Sequence, residues 1–269
     1  MPFVSSILVP IDFSERSAPA ARYAHSLATQ FGSSLTLVHA LAPLHEFSGG
    51  ETEGSMLAAL EQQRRKRAAE ELSAFAQQNA DGAQSALADG DPAQAIVSLA
   101  HEKADLIVMP THGYGKFRQF ILGSTTAKVL HDADCPVWTG VHLQDAPASP
   151  EPLRRVLCAV DLGPQSSKTL FWAASLALQF GASLTLLHVT LGAPDAALRE
   201  LETLRSYVHA EAELRVETGE PASAVCQAAQ RDAAGVLVIG RGSAAGVYGR
   251  LRASAYAIIR QSPCPVVSV

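Results

Sequence analysis

Aromatic and charged residues are both scarce in this chain of 269 residues. Aromatic residues make up 6% of the sequence and charged residues 17%, whereas 48% of the residues are hydrophobic. This composition excludes a disordered chain, because the sequence can bury enough apolar surface to fold. Single domains most often contain about 100–150 residues, so the length predicts two globular domains with aliphatic cores.

Long hydrophobic runs and an excess of positive charge are missing as well. No apolar run approaches the roughly 20 residues that span a membrane, and the N-terminus lacks the charged and apolar regions of a signal peptide. The formal net charge is −5, and the one dense basic run is Arg64-Arg65-Lys66-Arg67. We therefore expect a cytoplasmic protein with neither nucleic acid nor a membrane as its main partner.

Cysteine is sparse, with four residues that form no CxxC pair and no Cys/His cluster at zinc spacing. Cys135 and Cys264 each open a Cys-Pro-Val triplet at the end of one half of the chain, where a buried strand is expected. Free cysteine commonly behaves as a small buried hydrophobic residue. We predict core thiols and no metal site.

The second half of the chain repeats the first half in a constant register. At an offset of 149 residues, the matches are Ile7–Asp12 with Val156–Asp161, Gln30–Gly32 with Gln179–Gly181, and Leu35–His39 with Leu184–His188. At an offset of 129, they are Gly90–Ala93 with Gly219–Ala222 and Cys135–Val137 with Cys264–Val266. The repeat predicts a domain over residues 1–142, a Pro- and Ala-rich linker over 143–152, and a shorter domain over 153–269.

Short β-branched runs alternate with segments of helical spacing in both halves. Strands are predicted at Ile7–Val9, Leu35–His39, Gln84–Ala88, Leu106–Met109, Val137–Val141, Val156–Val160, Leu184–Val189, Glu211–Val216, Val236–Ile239 and Pro265–Val269. First-half helices are predicted at Ala18–Phe31, Leu57–Asn79, Pro92–His101 and Ser124–His131. The predicted fold is α/β, with two doubly wound domains that each have a five-stranded parallel sheet and helices on both faces.

The last strand of each half, Val137–Val141 and Pro265–Val269, is an edge rich in β-branched residues. Such edges need covering, and duplicated domains commonly pair with two-fold symmetry. We expect the two edges to lie at an interface, either between the halves or between two chains of a homodimer.

A ligand crevice is expected at the carboxyl ends of the strands, where the strand order reverses. In the first half, Pro10–Ser14 should meet Pro110–Gly113 and the helix start at Leu122–Thr126 there. Glycine lets the backbone approach an anion closely, and the N–H groups of a helix N-terminus favour phosphate. Lys116 and Arg118 could add positive charge.

Each candidate residue also has a purely structural interpretation. Asp12 could cap the first helix instead of binding a ribose or adenine group, and Ser124 could be an ordinary N-cap. Gly113 and Gly123 could be simple turn residues. If Gly123 serves the site, we expect it to need either a positive φ or a close approach to phosphate.

Taken together, these segments resemble the universal stress protein (UspA-like) family over essentially the whole chain, as two tandem domains. Its ATP-binding members carry Gly-x-x-Gly, nine residues, then Gly-Ser/Thr. Residues 110–113, the nine that follow and Gly123-Ser124 fit this pattern, except that Pro110 replaces the first glycine. Val9–Ser14 and Ala104–Met109 are also similar to family segments.

The resemblance implies an adenine nucleotide alpha hydrolase-like fold that binds ATP, with Mg²⁺ accompanying it. The residues implied to line the adenosine pocket are Ile11, Asp12, Ala40 and Met109. Those implied to hold the phosphates are Gly113, Gly123, Ser124, Thr125 and Thr126. Because Pro110 lacks an N–H and cannot adopt a positive φ, we expect an altered loop or a weaker affinity.

The second half departs further from the pattern. Asp161 is kept, but Arg252-Ala253-Ser254 stands where a Gly-Ser turn is expected. We interpret this half as a degenerate site with a packing role, so that the chain binds at most one nucleotide. Arg241, Arg250 and Arg252 leave a different anionic ligand as the alternative.

Three functions are compatible with these observations. The leading one is an adenine-nucleotide-binding regulator in a stress response, with a protein partner that the sequence does not identify. The alternative is a structural pseudo-dimer or interaction module that binds no nucleotide. An enzyme is less favoured, because no P-loop or Ser/His/Asp arrangement is present and no catalytic residue can be assigned; slow ATP hydrolysis stays open.

Overall fold

The computed structural model describes residues 3–42, 51–111, 122–140, 153–241 and 249–269, without the side chains of 51–55 and 249–253. The strands are β1 (Ser6–Pro10), β2 (Ser34–Leu41), β3 (Gln84–Asp89), β4 (Leu106–Pro110), β5 (Val137–Gly140), β6 (Arg155–Val160), β7 (Ser183–Thr190), β8 (Glu213–Thr218), β9 (Val236–Ile239) and β10 (Val266–Ser268). The helices are α1 (Ser17–Phe31), α2 (Glu51–Asn79), α3 (Pro92–Lys103), α4 (Ser124–Asp132), α5 (Ser166–Phe180), α6 (Pro194–Val208), α7 (Pro221–Arg231) and α8 (Gly249–Gln261).

These strands form one ten-stranded sheet, in the order β3-β2-β1-β4-β5-β10-β9-β6-β7-β8. Within each half, all neighbouring strands are parallel. The strand order reverses between β1 and β4 in the first half, and between β6 and β9 in the second. The doubly wound α/β prediction is therefore confirmed, and each half has one topological switch point where a ligand crevice is expected.

The halves are joined by antiparallel pairing of β10 with β5. Val267 lies opposite Trp138, and Val266 lies opposite Thr139. Trp138 and Val267 are equivalent positions of the 129-residue repeat, so the pairing is symmetric about them, as in a two-fold dimer. This confirms the prediction that the last strands lie at an interface, and it places that interface between the halves.

Antiparallel joining sends the two halves in opposite directions. The carboxyl ends of β1, β2 and β4 lie along one edge of the sheet, and those of β6, β7 and β9 lie along the opposite edge. Residues of α1, α2, α5 and α6 pack on one face of the sheet, and residues of α3, α4, α7 and α8 pack on the other. The two crevices are therefore at opposite edges of the sheet.

The same local devices end and begin equivalent helices in both halves. Gly32 and Gly181, with φ of 69° and 60°, terminate α1 and α5 in the left-handed conformation that glycine adopts at little cost. At the starts of α3 and α7, the side chains of Asp91 and Glu220 accept hydrogen bonds from backbone N–H groups of the first turn. The repeat therefore extends to how each helix is capped.

The core is aliphatic in both layers, and aromatic rings connect the halves on one face. Phe31 of α1 meets Phe180 of α5 edge to face, with ring centroids 5.2 Å apart. Phe3 contacts Trp172 with a centroid distance of 5.3 Å. Since Phe31 and Phe180 are equivalent positions of the repeat, this contact lies on the same pseudo-two-fold axis as the β5–β10 pairing.

The offset of the repeat falls from 149 to 129 residues after the second strand of each half, and the second helix is shorter in the second half, since α2 has 29 residues and α6 has 15. In α2, which begins at Glu51 rather than at the predicted Leu57, the side chains of Arg65 and Lys66 are exposed. Arg65 pairs with Asp89 at 2.6 Å. Although α2 is long, no described helix is long and apolar enough to cross a membrane.

All four cysteines are free thiols. Cys158 and Cys264 are buried, as predicted, whereas Cys135 and Cys226 are only partly buried. Burial raises the pKa of the Cys264 thiol to about 11, which keeps it protonated at neutral pH. Among the described residues, no group of His, Cys, Asp and Glu side chains is arranged to hold a metal ion.

The central position of Trp138 leads to a stability prediction. Its side chain is 1% exposed, so Trp138→Ala should lower the free energy of unfolding by about 3–5 kcal/mol, because a cavity opens at the pairing that joins the halves. Urea unfolding followed by circular dichroism should show a single transition that moves as a whole.

Phe171→Ala is the matched control, because Phe171 is 62% exposed and its loss should change stability by less than about 0.5 kcal/mol. Two separate transitions, of which Trp138→Ala shifts only one, would contradict the expectation that the two halves unfold together.

Candidate functional site

The first-half crevice begins where β1 ends, at Asp12. The Oδ1 atom of Asp12 accepts hydrogen bonds from the Ser17 hydroxyl at 2.6 Å and from the Ser14 N–H at 3.0 Å. The N-cap of α1 is Arg16, which makes no side-chain capping bond. Asp12 therefore orders the turn between β1 and α1 rather than occupying the N-cap position, and its carboxylate is exposed at the strand end.

A residue in an unusual backbone conformation follows Asp12. Phe13 has a φ of 57°, a left-handed conformation that costs a bulky residue about 1–3 kcal/mol. The turn is supported from β2, since Nδ1 of His39 lies 2.8 Å from the carbonyl oxygen of Ile11 and the His39 ring packs on Phe13 with centroids 4.6 Å apart. This strained turn was not predicted from the sequence.

The second half reproduces this turn atom by atom. Asp161 accepts hydrogen bonds from the Gly163 N–H and the Ser166 hydroxyl, each at 3.0 Å. Nδ1 of His188 lies 2.9 Å from the carbonyl oxygen of Val160, and Leu162 has a φ of 61°. Left-handed residues cluster at functional sites, so their presence at both strand ends favours a crevice of similar architecture in each half.

The start of α4 lies at the carboxyl end of β4. Gly123 is its N-cap, with φ of −62° and ψ of 147°, and its N–H donates to the Thr111 carbonyl at 2.9 Å. The Thr126 hydroxyl donates to the Pro110 carbonyl at 3.2 Å. These bonds fix the amino end of α4 at the carboxyl end of β4, the strand next to β1. The alternative that Gly123 needs a positive φ is wrong, because its backbone is extended and any residue could adopt it.

The remaining predicted site residues divide into two groups. Ile11 and Met109 are buried and Ala40 is half-buried, at the ends of the neighbouring strands β1, β4 and β2. Ser124 is exposed on the first turn of α4, and Thr125 is half-buried. Outside the described residues lie the positions Gly113, Lys116 and Arg118.

The crevice of the second half holds a cavity of about 300 Å³. It lies at the ends of β6, β7 and β9, and Asp161, Ser166, Thr169 and His188 supply polar groups among mainly aliphatic walls. Its wall residues Val160, Val189 and Ile239 are the equivalents of Ile11, Ala40 and Met109 in the first half. The sequence suggested a packing role for this half, and among the described residues the side chains leave a cavity at these strand ends.

The two crevices differ at the position that is Pro110 at the end of β4 in the first half and Gly240 after β9 in the second. The strand register makes Gly240 the equivalent of Pro110. A Cβ atom at Gly240 would lie 3.1 Å from Oγ1 of Thr169, whereas the first half has Ala20 in the place of Thr169. The smaller Ala20 is thus matched with the bulkier Pro110, and Thr169 is matched with glycine.

The arginine that follows Gly240 does not face an anionic ligand. The guanidinium of Arg241 donates to the carbonyl oxygens of Ala133 at 2.6 Å and Cys135 at 2.7 Å, in the other half. The alternative that Arg241 binds an anion is therefore not supported. Arg250 and Arg252 have no described side chains, so their interpretation stays a prediction.

The chain is similar to known proteins over nearly its whole length. Residues 4–139, 152–206 and 193–269 match the model of the universal stress protein family. A universal stress protein of Thermus aquaticus is 37% identical over 134 residues, which are 49% of this chain and 95% of that protein. One from Mycolicibacterium smegmatis is 27% identical in an alignment of 286 residues, gaps included, that covers 98% of this chain and 96% of that protein. The crystal structure of a universal stress protein from Archaeoglobus fulgidus has the same fold, with a TM-score of 0.67 and 23% identity over 98% of this chain and 95% of that one.

The matching of Gly240 with Thr169 can be tested by a double-mutant cycle. Gly240→Ala should lower the free energy of unfolding by about 1–3 kcal/mol, because the new methyl group meets the Thr169 hydroxyl, which is held in place by its 3.1 Å hydrogen bond to the Gln165 carbonyl. Adding Thr169→Ala should recover part of this loss, with a coupling energy of about 0.5–3 kcal/mol.

Gly192→Ala is the control for this cycle, since a Cβ there makes an ordinary contact, 3.4 Å from Thr190 Oγ1. Additive effects of Gly240→Ala and Thr169→Ala would show that the two positions are not matched.

Proposed function

The chain belongs to the universal stress protein family, and we propose that it binds an adenine nucleotide in the crevice of its first half, with a regulatory role in the stress response. The observation that carries the proposal is the position of Asp12 and the amino end of α4 at the ends of the neighbouring strands β1 and β4. A carboxylate on one side of a crevice and a helix N-terminus on the other suit a ligand with hydroxyl donors at one end and phosphate at the other.

The adenosine end of the ligand is proposed to lie on β1, β2 and β4. Ile11 and Met109 are buried there and Ala40 is half-buried, which supports an apolar floor for an adenine ring. Asp12 stands at the rim of this floor, where its carboxylate can accept hydrogen bonds from ribose hydroxyls.

The phosphate end is proposed to lie at the first turn of α4. The N–H groups of Ser124 and Thr125 have no partner within the helix, which is the general condition of a helix start, and they carry its positive dipole end. The Thr126 hydroxyl is bonded to the Pro110 carbonyl, so Thr126 is proposed to contribute its N–H group. With Gly113 and Gly123, these residues form the proposed site for ATP, accompanied by Mg²⁺.

The second-half cavity favours a second candidate function, in which this half also binds a ligand. Its volume of about 300 Å³ lies at the lower end of the range for small-molecule pockets. The polar groups of Asp161 and His188 repeat those of Asp12 and His39 at the same places. One ligand per chain, in the first half, remains the leading proposal, and the stoichiometry decides between the two.

Isothermal titration with ATP, ADP and AMP, on the intact chain and two variants, tests this assignment. Asp12→Ala should weaken binding about tenfold to a hundredfold, because a charged hydrogen bond to the ligand is lost. Asp161→Ala should leave the affinity unchanged, with one ligand bound per chain.

Ser17→Ala serves as the control for Asp12→Ala. It removes the 2.6 Å bond to Asp12 but keeps the carboxylate, so a direct contact between Asp12 and the ligand predicts a smaller loss for Ser17→Ala. Binding that is lost in Asp161→Ala alone would transfer the site to the second half, and two equivalent ligands would establish both.

A second experiment tests the phosphate end through Gly123→Val. Because the backbone of Gly123 is extended, with φ of −62° and ψ of 147°, valine should fit it and the fold should survive. A branched side chain at the mouth of the helix start should abolish nucleotide binding by keeping phosphate away.

Ala193→Val is the matched control, since Ala193 is the N-cap of α6 with nearly the same backbone, φ of −73° and ψ of 118°, and also makes no side-chain capping bond. Both variants should unfold like the unmodified chain. Unchanged affinity in a folded Gly123→Val protein would remove α4 from the site.

A further inference from the structure

Arg241 connects the crevice of the second half with a helix of the first half. It directly follows Gly240, which lines the second-half cavity. Its guanidinium donates to the carbonyl oxygens of Ala133 at 2.6 Å, Cys135 at 2.7 Å and Leu130 at 3.3 Å. These three carbonyls belong to the last turn of α4 and to the residues just after it.

The end of a helix is a favourable place for this side chain. The last carbonyl groups of a helix have no partner within the helix and carry its negative dipole end. A guanidinium offers five N–H donors in a rigid planar fork, so one arginine can satisfy several of them at once. Burial lowers the pKa of Arg241, but an arginine remains charged at neutral pH.

The charge of Arg241 is met mainly by these backbone dipoles. Among the described residues, no carboxylate lies within ion-pairing distance of its guanidinium, and the nearby Asp134 is bonded to His101 at 2.8 Å. The guanidinium therefore binds the carboxyl end of α4. Its loss would remove the hydrogen-bond donor of three carbonyl groups and the positive charge beside the negative end of the helix dipole.

The repeat does not explain this contact. The strand register makes Thr111 the first-half equivalent of Arg241, and threonine is too short to reach a helix of the other half in the same way. A second departure from the repeat reaches the same helix, since the Tyr256 hydroxyl of α8 donates to the Ala127 carbonyl of α4 at 3.3 Å. Ala127 is itself the equivalent of Tyr256 in the first half.

The helix α4 connects these contacts with the crevice of the first half. Its amino end, with Gly123 and Ser124, lies at the first-half crevice, and its nine residues run back across the sheet to the edge where the strands of the second half end. Because the halves are antiparallel, the carboxyl end of α4 arrives beside the end of β9 and Arg241.

We propose that Arg241 is a positioning residue, which holds the carboxyl end of α4 from the second half and thereby sets the place of its amino end at the first-half crevice. The consequence for ligand binding rests on the proposed function of that crevice. A ligand in the second-half cavity that displaces Gly240 and Arg241 would in the same way change the affinity of the first-half crevice, and by linkage a first-half ligand would change the affinity of the second-half cavity by the same factor.

The test uses the full chain with two readouts, hydrogen exchange of backbone amides and titration with ATP. In Arg241→Gln, the amides of Ala127–Leu130 should exchange at least about tenfold faster, while those of Ile96–Ala100 in α3 stay unchanged. The affinity for ATP should fall about tenfold, the size of effect expected for losing one charged hydrogen bond. Arg241→Lys, which keeps the charge without the fork, should lie between.

Arg155→Gln is the matched control, because Arg155 also donates to a backbone carbonyl, that of Asp232 at 2.6 Å, but within the second half and at the surface. It should change neither readout. If Arg241→Gln fails to fold, Tyr256→Phe removes the lesser bond to α4, and about a twofold to threefold change in both readouts is expected.

Unchanged exchange in α4, or faster exchange with unchanged ATP affinity, would overturn the proposal. A chain that binds no ATP at all, before any substitution, would instead refute the proposed function. In that event the exchange of α4 still decides whether Arg241 positions the helix.

Discussion

The antiparallel pairing of β5 with β10 is the constraint from which the rest of the molecule follows. Unpaired, these short β-branched edges would offer rows of free N–H and C=O groups to other chains. Paired, they form the centre of one sheet, with Trp138 and Val267 on its symmetry axis. The pairing also sets the two crevices at opposite edges, so that no ligand in one can touch a ligand in the other. Only elements that cross the sheet can connect them.

Within this symmetric frame, the two crevices are built from matched pairs rather than from single residues. Pro110 taken alone suggests a damaged phosphate loop, because a glycine is expected there. Gly240 lies close to Thr169, and at the two equivalent positions the first half has Pro110 and Ala20, so the larger residue at one position coincides with the smaller residue at the other. A departure from a family pattern has to be judged together with the residue that packs against it, since a compensating change nearby can accommodate it.

Much of the fold was predictable from sequence, because aliphatic strands covered on both faces leave continuous apolar runs and the repeat gives each half as a check on the other. The positions of Asp12 and of the start of α4 at neighbouring strand ends were predictable for a similar reason, since each follows directly from a strand–loop–helix pattern. The left-handed turn at Phe13 and Leu162 was not found. Neither residue signals a positive φ, and the conformation depends on tertiary support such as the bond between His39 and the Ile11 carbonyl.

Arg241 shows a different limit of sequence reasoning. In a phosphate-loop pattern, an arginine suggests an anionic ligand, and only the arrangement of the halves reveals that the end of α4 lies within its reach. The partner is more than 100 residues away in sequence, and nothing in the local pattern around Gly240 indicates it. Side chains that bridge two domains are recognised only once the relative placement of those domains is known.

The contacts at α4 also indicate what a tandem chain can do that a symmetric homodimer cannot. In a homodimer, each substitution at the two-fold axis appears twice, so a tyrosine opposite alanine is not available. Here Tyr256 contacts its own equivalent, Ala127. Arg241 has the much shorter Thr111 as its equivalent in the first half. Both asymmetries direct contacts from the second half onto α4 of the first. Because the halves are joined in one chain, the second half can carry substitutions that bind α4 without the same substitutions in the first half. The shared sheet keeps the relative position of the halves fixed.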